Sequence, residues 1–176
     1  MDIDVTNISK SKMKTNILFV VPPYLSIGEM GKDNPESWVT SCAVPLGVLS
    51  IASYIDKYAS VNMAILDLNV SIANRPKAFV DTEWDQFLKK EIDELNLDFV
   101  PDIVGISAIF NSQISYLHLI SEYCKQIWPE LLVTAGGGGP SNLSQEVFDM
   151  APSVDTIAKG EAERPFLHLI EATDRI

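Results

Sequence analysis

Five short runs of apolar and β-branched residues recur along this chain, at Asn16 to Val21, Asn62 to Leu68, Asp102 to Ile109, Leu131 to Ala135 and Val154 to Ala158. Longer stretches with helical spacing separate them, and that alternation is the pattern of parallel α/β architecture. Each run is apolar nearly throughout instead of alternating, so both faces of the sheet are expected to lie under helices. The longest unbroken apolar run, Ile17 to Val21, is far too short to span a bilayer. With 176 residues, 47% of them hydrophobic and 21% charged, the chain has enough apolar side chain for one core, which excludes disorder as its dominant state.

Between the strands, Leu46 to Tyr58 sets Leu46, Leu49, Ala52 and Ile55 at helical spacing. Glu83 to Leu95 does the same with Trp84, Phe87, Leu88, Glu91 and Leu95, the glutamate being the misfit, and Leu117, Ile120, Cys124 and Ile127 form a third stripe. Two shorter helices are expected at Asn142 to Met150, where Asn142 with Gln145 has the spacing of a capping box, and at Arg164 to Glu171, where Pro165 suits a first turn. The fold class is therefore a doubly wound, flavodoxin-like or Rossmann-like five-stranded parallel sheet of order 2-1-3-4-5. Residues 15–176 form this domain behind a loosely ordered extension, 1–14.

In that strand order the chain reverses between strands 1 and 3 and leaves a crevice beyond their carboxyl ends. Three segments border it: Pro22, Pro23 and Tyr24 after strand 1, Ser107 to Gln113 after strand 3, and the run Gly136, Gly137, Gly138, Gly139 and Pro140 after strand 4. The glycines remove every side chain between main chain and ligand at a cost in backbone entropy, so we read them as a binding surface before a flexible turn. No Lys-Ser or Lys-Thr follows, which excludes a Walker loop. Ser107, Asn111, Ser112 and Gln113 offer neutral hydrogen-bonding groups suited to amides or a heteroaromatic nitrogen; Ser112 reads instead as a cap for the following helix.

Other polar residues read as structural. Asp67 ends strand 2 where a dinucleotide fold holds a ribose-binding acid, but no glycine fingerprint precedes it, which favours loop capping. Glu163, in the Gly160-Glu161-Ala162-Glu163 segment, is placed to favour the amino end of the last helix. His118 and His168 have no Cys or His at metal spacing, and neither a Ser-His-Asp order nor HExxH occurs. Trp84 and Trp128 read as packing, while Trp38 sits in the long loop 22–45, where it could cover a flat ligand. The two cysteines, Cys42 and Cys124, read as ordinary thiols of a reducing compartment. A net charge of −11 disfavours nucleic acid and anionic membrane as partners, and no apolar leader opens the chain, so a cytoplasmic location is expected.

The ordered set ILFVVPPY, PLGVLSIASYI, AILDLNV, PDIVGISAIFNSQ, VTAGGGGPS and VDTIAKGEAE, over residues 15–172, resembles the amino-terminal cobalamin-binding domain of B12-dependent radical SAM enzymes. The resemblance implies cobalamin as cofactor. Ser107, Ala108 and Ile109 would meet its nucleotide tail, and Gly136 to Gly139 with Pro140 would form the passage that tail threads. Pro22, Pro23 and Tyr24 with Phe110, Asn111 and Gln113 would border the corrin ring, and Gly160 and Glu161 would complete the set. Corrinoid domains of the methionine synthase kind place Asp-x-His-x-x-Gly after strand 1, whereas this chain has Val-Pro-Pro-Tyr-Leu-Ser-Ile-Gly and no His before His118. The resemblance thus implies base-off cobalamin without a protein imidazole below cobalt. Two cysteines cannot hold a [4Fe–4S] cluster, so the cluster and SAM are expected in a radical SAM barrel supplied by a missing part or a separate chain, most often for methyl transfer. Alone the domain would bind and not turn over. The rival readings are a cofactor-free flavodoxin-like signalling domain, weakened by the lack of clustered acids after strand 1, and a nucleotide- or flavin-binding domain.

Overall fold

A computed structural model describes residues 14–24, 43–74 and 83–173. Most of the expected extension 1–14, and Trp38 and Cys42 of the long loop, lie outside the described residues. Five parallel strands, β1 (Thr15–Val21), β2 (Val61–Asp67), β3 (Ile103–Ser107), β4 (Leu132–Gly136) and β5 (Thr156–Ala158), form one sheet in the order β2-β1-β3-β4-β5. The helices are α1 (Leu46–Tyr58), α2 (Leu68–Asn74), α3 (Trp84–Asp93), α4 (Ile114–Ile127), α5 (Gly138–Asn142), α6 (Ser144–Met150) and α7 (Glu163–Thr173), with a 3-10 turn at Asn111–Gln113. No helix among the described residues is long and apolar enough to cross a membrane.

Successive strand residues serve opposite faces. Leu18, Val20, Val104, Ile106, Val133 and Ala135 face a large core closed by α2, α3, α4 and α6. Ile17, Phe19, Val21 and Ile103 face a smaller one closed by Val48 and Ile55 of α1 and Phe166 and Ile170 of α7. At the foot of the sheet, Asp102 accepts from the Asn16 amide at 2.8 Å. On the flank, Asp155 accepts from Val133 N–H at 2.7 Å and pairs with Lys125 at 2.8 Å.

Several details depart from the expected pattern; β3 ends at Ser107, two residues short of Ile109, and β5 begins at Thr156 instead of Val154. On α1 the buried side chains are Val48 and Ile55, with Ile51 and Ala52 half-buried, while Leu46 and Leu49 are exposed. Steps of three residues fall short of a 3.6-residue turn, so the 46/49/52/55 series drifts around the helix, whereas 48/51/52/55 stays on one side. The 142–150 helix is in fact two: Asn142 ends α5, Leu143 precedes α6 without any side-chain cap, and Gln145 donates instead to Asp149 at 3.0 Å. Strand 2 stops one residue early because the Asp67 carboxylate accepts from Asn69 N–H at 2.9 Å and opens the unforeseen helix α2, which is the loop-capping role expected of it.

The remaining polar residues sit as structural elements. Glu91 is buried on α3, and His118 lies on α4 beside Glu122 at 3.4 Å. Cys124 is a free thiol in the core, where burial pushes its pKa up to about 12. No side chain caps α4, so Ser112 does not fill that role; its carbonyl accepts from Ser115 Oγ at 3.4 Å. Among the described residues no cluster of His, Cys, Asp and Glu could hold a metal ion.

Candidate functional site

On the face covered by α1 and α7, side chains shrink toward the carboxyl end of the sheet. Alternate residues run Ile103, Gly105, Ser107 along β3 and Leu132, Thr134, Gly136 along β4, and the row Ser107, Gly136, Ala158 is set side by side by the strand register. With so little side chain there, the sheet and the two helices cannot close on each other. They leave an open cleft of about 620 Å³, counting the part continuous with solvent, bounded by Phe19, Val48, Ile51, Phe166 and the segment Gly160 to Glu163.

The glycines divide into two kinds. A Cβ at Gly105 would stand 2.9 Å from the Phe19 ring and 3.2 Å from Phe166, so its absence lets those rings pack, with centroids 5.1 Å apart, as one wall of the cleft. Gly47 and Gly160 are different: a Cβ on either would meet nothing within 4 Å, and on Gly136 it would make only ordinary contact with Ala158 at 3.7 Å. Packing does not exclude side chains at these three, although Gly160 has φ of 70°, a left-handed conformation that itself calls for glycine; the lack of side chains at Gly47 and Gly136 widens the cleft.

This corrects the reading of residues 136–139 as uniformly bare floor. Gly136 and Gly137 line the cleft, but Gly138 and Gly139 belong to α5 and serve packing. A Cβ at Gly137 would run into the Ala108 carbonyl oxygen, one at Gly138 would stand 2.8 Å from that of Ile109, and one at Gly139 would stand 2.9 Å from that of Phe110. Gly137 also has φ of 101°, a left-handed conformation that L side chains avoid. The run therefore lets α5 lie directly on the loop after β3. Gly139 N–H donates to Ala108 carbonyl at 3.2 Å, and Ala108 N–H donates to Gly136 carbonyl at 2.8 Å.

The other expected residues fall into a rim and a scaffold. Ile109 and Phe110 are exposed at the crevice lip, with Tyr24 edge-on to Phe110 at a centroid distance of 6.0 Å. Asn111 is exposed at the start of the 3-10 turn. Pro22, Pro23, Ala108, Gly139 and Pro140 are buried beneath. Gln113 is wholly buried, and its amide is consumed by four main-chain partners. It has no bonding capacity left for a ligand, which corrects its reading as a contact residue. Gly160 and Glu161 stand exposed at the cleft mouth, and Gly160 N–H donates to Ser141 Oγ at 3.2 Å.

Sequence reasoning missed Gly47, Ile51, Gly105, Thr134, Ala158, Ala162 and Glu163 as parts of the cleft wall. A signal was present in the period-two thinning of β3 and β4. Glu163 opens α7 and its carboxylate accepts from Ser50 Oγ at 2.6 Å, which holds its pKa below the ordinary carboxyl value, aided by a bond from its own main chain. A second groove lies outside this bond, between Tyr54, Tyr58 and Arg164.

Comparison with known proteins places these features in a family. The model of the B12 binding domain matches residues 38–170. The chain is 31% identical over 135 residues to the cytidylyl-2-hydroxyethylphosphonate methyltransferase of Streptomyces wedmorensis, covering 74% of this chain and 24% of the relative. It is 27% identical over 160 residues to the anaerobic magnesium-protoporphyrin IX monomethyl ester cyclase of Rubrivivax gelatinosus, covering 90% and 24%, and 28% identical to that of Cereibacter sphaeroides, covering 89% and 22%. The chain thus spans under a quarter of the length of these relatives. A solved structure of the RcsB response regulator of Salmonella typhimurium superposes with a TM-score of 0.47 at 10% identity, over 93% of this chain and 61% of that one. With a family model matched across most of the sheet, its helices and the cleft, the chain belongs to the B12 binding domain family.

Proposed function

We propose that this domain carries cobalamin base-off, with the nucleotide tail in the cleft and the corrin ring on the rim. The observation that carries the reading is the cleft itself: a slot at the carboxyl ends of β3, β4 and β5, walled by Phe19 and Phe166 and stripped of side chains at Gly47, Gly136 and Gly160. The slot is walled by rings and bare main chain, which suits a flat heteroaromatic tail, and the macrocycle then lies outside it, against exposed Ile109 and Phe110. Half-buried Ser107 puts a hydroxyl on the cleft wall for the tail. Glu161 at the mouth can accept from a sugar hydroxyl or an amide.

Of the two histidines, His118 lies on α4, a helix of the opposite face, and His168 is exposed on α7 and does not line the cleft. The residues at hand would therefore hold the cofactor by shape, main-chain groups and one hydroxyl, and none of those lining the cleft offers an imidazole to cobalt. Bound cobalamin supplies the cobalt chemistry; the chain binds and orients it. SAM and an iron–sulfur cluster belong, in this reading, to a radical SAM domain occupying part of the additional length seen in the relatives, and methyl transfer to carbon is the reaction served. The methyltransferase named among those relatives supports that choice.

The test is to mix the purified chain with hydroxocobalamin, desalt it and record the visible spectrum. Stoichiometric retention with a base-off band is expected. A colourless protein that instead takes up FMN or ATP overturns the reading. Ser107→Tyr, which fills the tail slot from a half-buried position, is expected to abolish retention while leaving the far-UV circular dichroism unchanged.

A further inference from the structure

Two consecutive prolines after β1 have no N–H to donate, so neither can anchor this segment as a main-chain donor. It is braced from outside by two buried amides. Gln113 Nε2 donates to the Pro22 carbonyl at 2.9 Å and to the Pro23 carbonyl at 3.0 Å. Its Oε1 accepts from Ile109 N–H at 2.7 Å and from Phe110 N–H at 2.9 Å. Asn69 adds a bond from Nδ2 to the Pro22 carbonyl at 3.1 Å and accepts from Tyr24 N–H at 2.8 Å. One side chain thus ties the loop after β1 to the loop after β3 across the point where the strand order reverses. That is the crevice in which ligands of open α/β sheets bind.

We infer that Gln113 is a positioning residue: it presets the rim of the crevice in the free protein, fixing the lip that carries Ile109 and Phe110 against the lip that carries Tyr24. The inference rests on the cobalamin reading above, since the rim is assigned there to the corrin ring. Gln113 touches no ligand, because both donors and both acceptor sites of its amide are used. Its effect reaches the cofactor through the spacing and orientation of the two loops. A rim that needs no reorganisation on binding gains affinity by avoiding the cost of ordering.

The experiment combines hydrogen exchange on the free chain with corrinoid binding by two variants. In the wild type, Ile109 and Phe110 amides are expected to be protected before cobalamin is added; protection that arises only after its addition overturns a preset rim. Gln113→Glu keeps the acceptor for those amides but turns a carboxylate toward two carbonyls, so the proline lip loses its tie to the loop after β3 and keeps only the Asn69 bonds. Gln113→Met, similar in volume, removes the Gln113 bonds to both loops. With unchanged far-UV circular dichroism, each is expected to bind hydroxocobalamin about tenfold or more weakly and to alter the visible circular dichroism of whatever corrinoid is retained, a signature of how the ring is seated. Folded variants with wild-type affinity and an unaltered visible signal overturn the positioning role while leaving the cobalamin reading intact. A wild-type chain that takes up no corrinoid overturns both.

Discussion

Ser50 on α1 and Glu163 at the head of α7 stand 113 positions apart in sequence and 2.6 Å apart in space, joining the two helices beside the cleft mouth. The hydroxyl stabilises the ionised carboxylate, so the Glu163 pKa is lower in the folded chain than its ordinary 4.5. A depressed folded-state value adds stability above the unfolded pKa, and that stability is lost as pH falls through the folded one. Ser50→Ala is expected to return the Glu163 titration toward 4.5, read by NMR of the side-chain carboxyl. The stability difference between variant and wild type should be present above 4.5 and disappear as pH falls through the lower, folded-state value. Since the pair is exposed, the effect should be small.

Gly137 and Gly47 should respond oppositely to alanine. Gly137→Ala forces a side chain into a left-handed conformation and against the Ala108 carbonyl, and is expected to cost about 3 kcal/mol, a fall in Tm on the order of 10 °C. Gly47→Ala meets nothing within 4 Å and lies in α1, so it is expected to stabilise by up to about 1 kcal/mol. Thermal melts of the two variants check this directly.

That contrast also marks how far the sequence could be read. The strands and the α1 and α4 helices follow from hydrophobic period and from the alternation of strand with helix, which are properties of near neighbours, and the strand order follows from the usual doubly wound arrangement of such elements. The packing role of Gly138 and Gly139 does not, because it depends on the carbonyls of Ile109 and Phe110, remote in sequence and brought close only by the pairing of β3 with β4. Gln113 misled for the same reason. A polar side chain at a strand end looks free to meet a ligand until the proline carbonyls of another loop arrive beside it.

Cys124 offers a test of the core under α4. Burial holds its thiol neutral up to a pKa of about 12 against 9.0 for a free one, so its stabilising contribution is complete below 9.0 and is lost as pH rises toward 12. Alkylation of Cys124 in the native chain at mildly alkaline pH, followed by peptide mass spectrometry, is expected to be undetectable, and to become complete on addition of denaturant. Rapid alkylation without unfolding would mean that this core is open.

Ser107→Tyr separates binding from folding. The residue ends β3 with its side chain on the cleft face, half-buried, and the space beside it is bounded by Gly136 and Gly105. Its ring is expected to occupy the slot at little cost to Tm while removing cobalamin retention. A variant that retains cobalamin as well as wild type would take Ser107 out of the site.

The most direct measurement is the crystal structure of the chain grown with excess cobalamin. The account predicts density for the nucleotide tail between the Phe19–Phe166 wall and the Ser107, Gly136 and Ala158 row, with the corrin ring over Ile109 and Phe110 and no histidine below cobalt. A cleft closed by the chain's own side chains, with no corrinoid in the density, would contradict it.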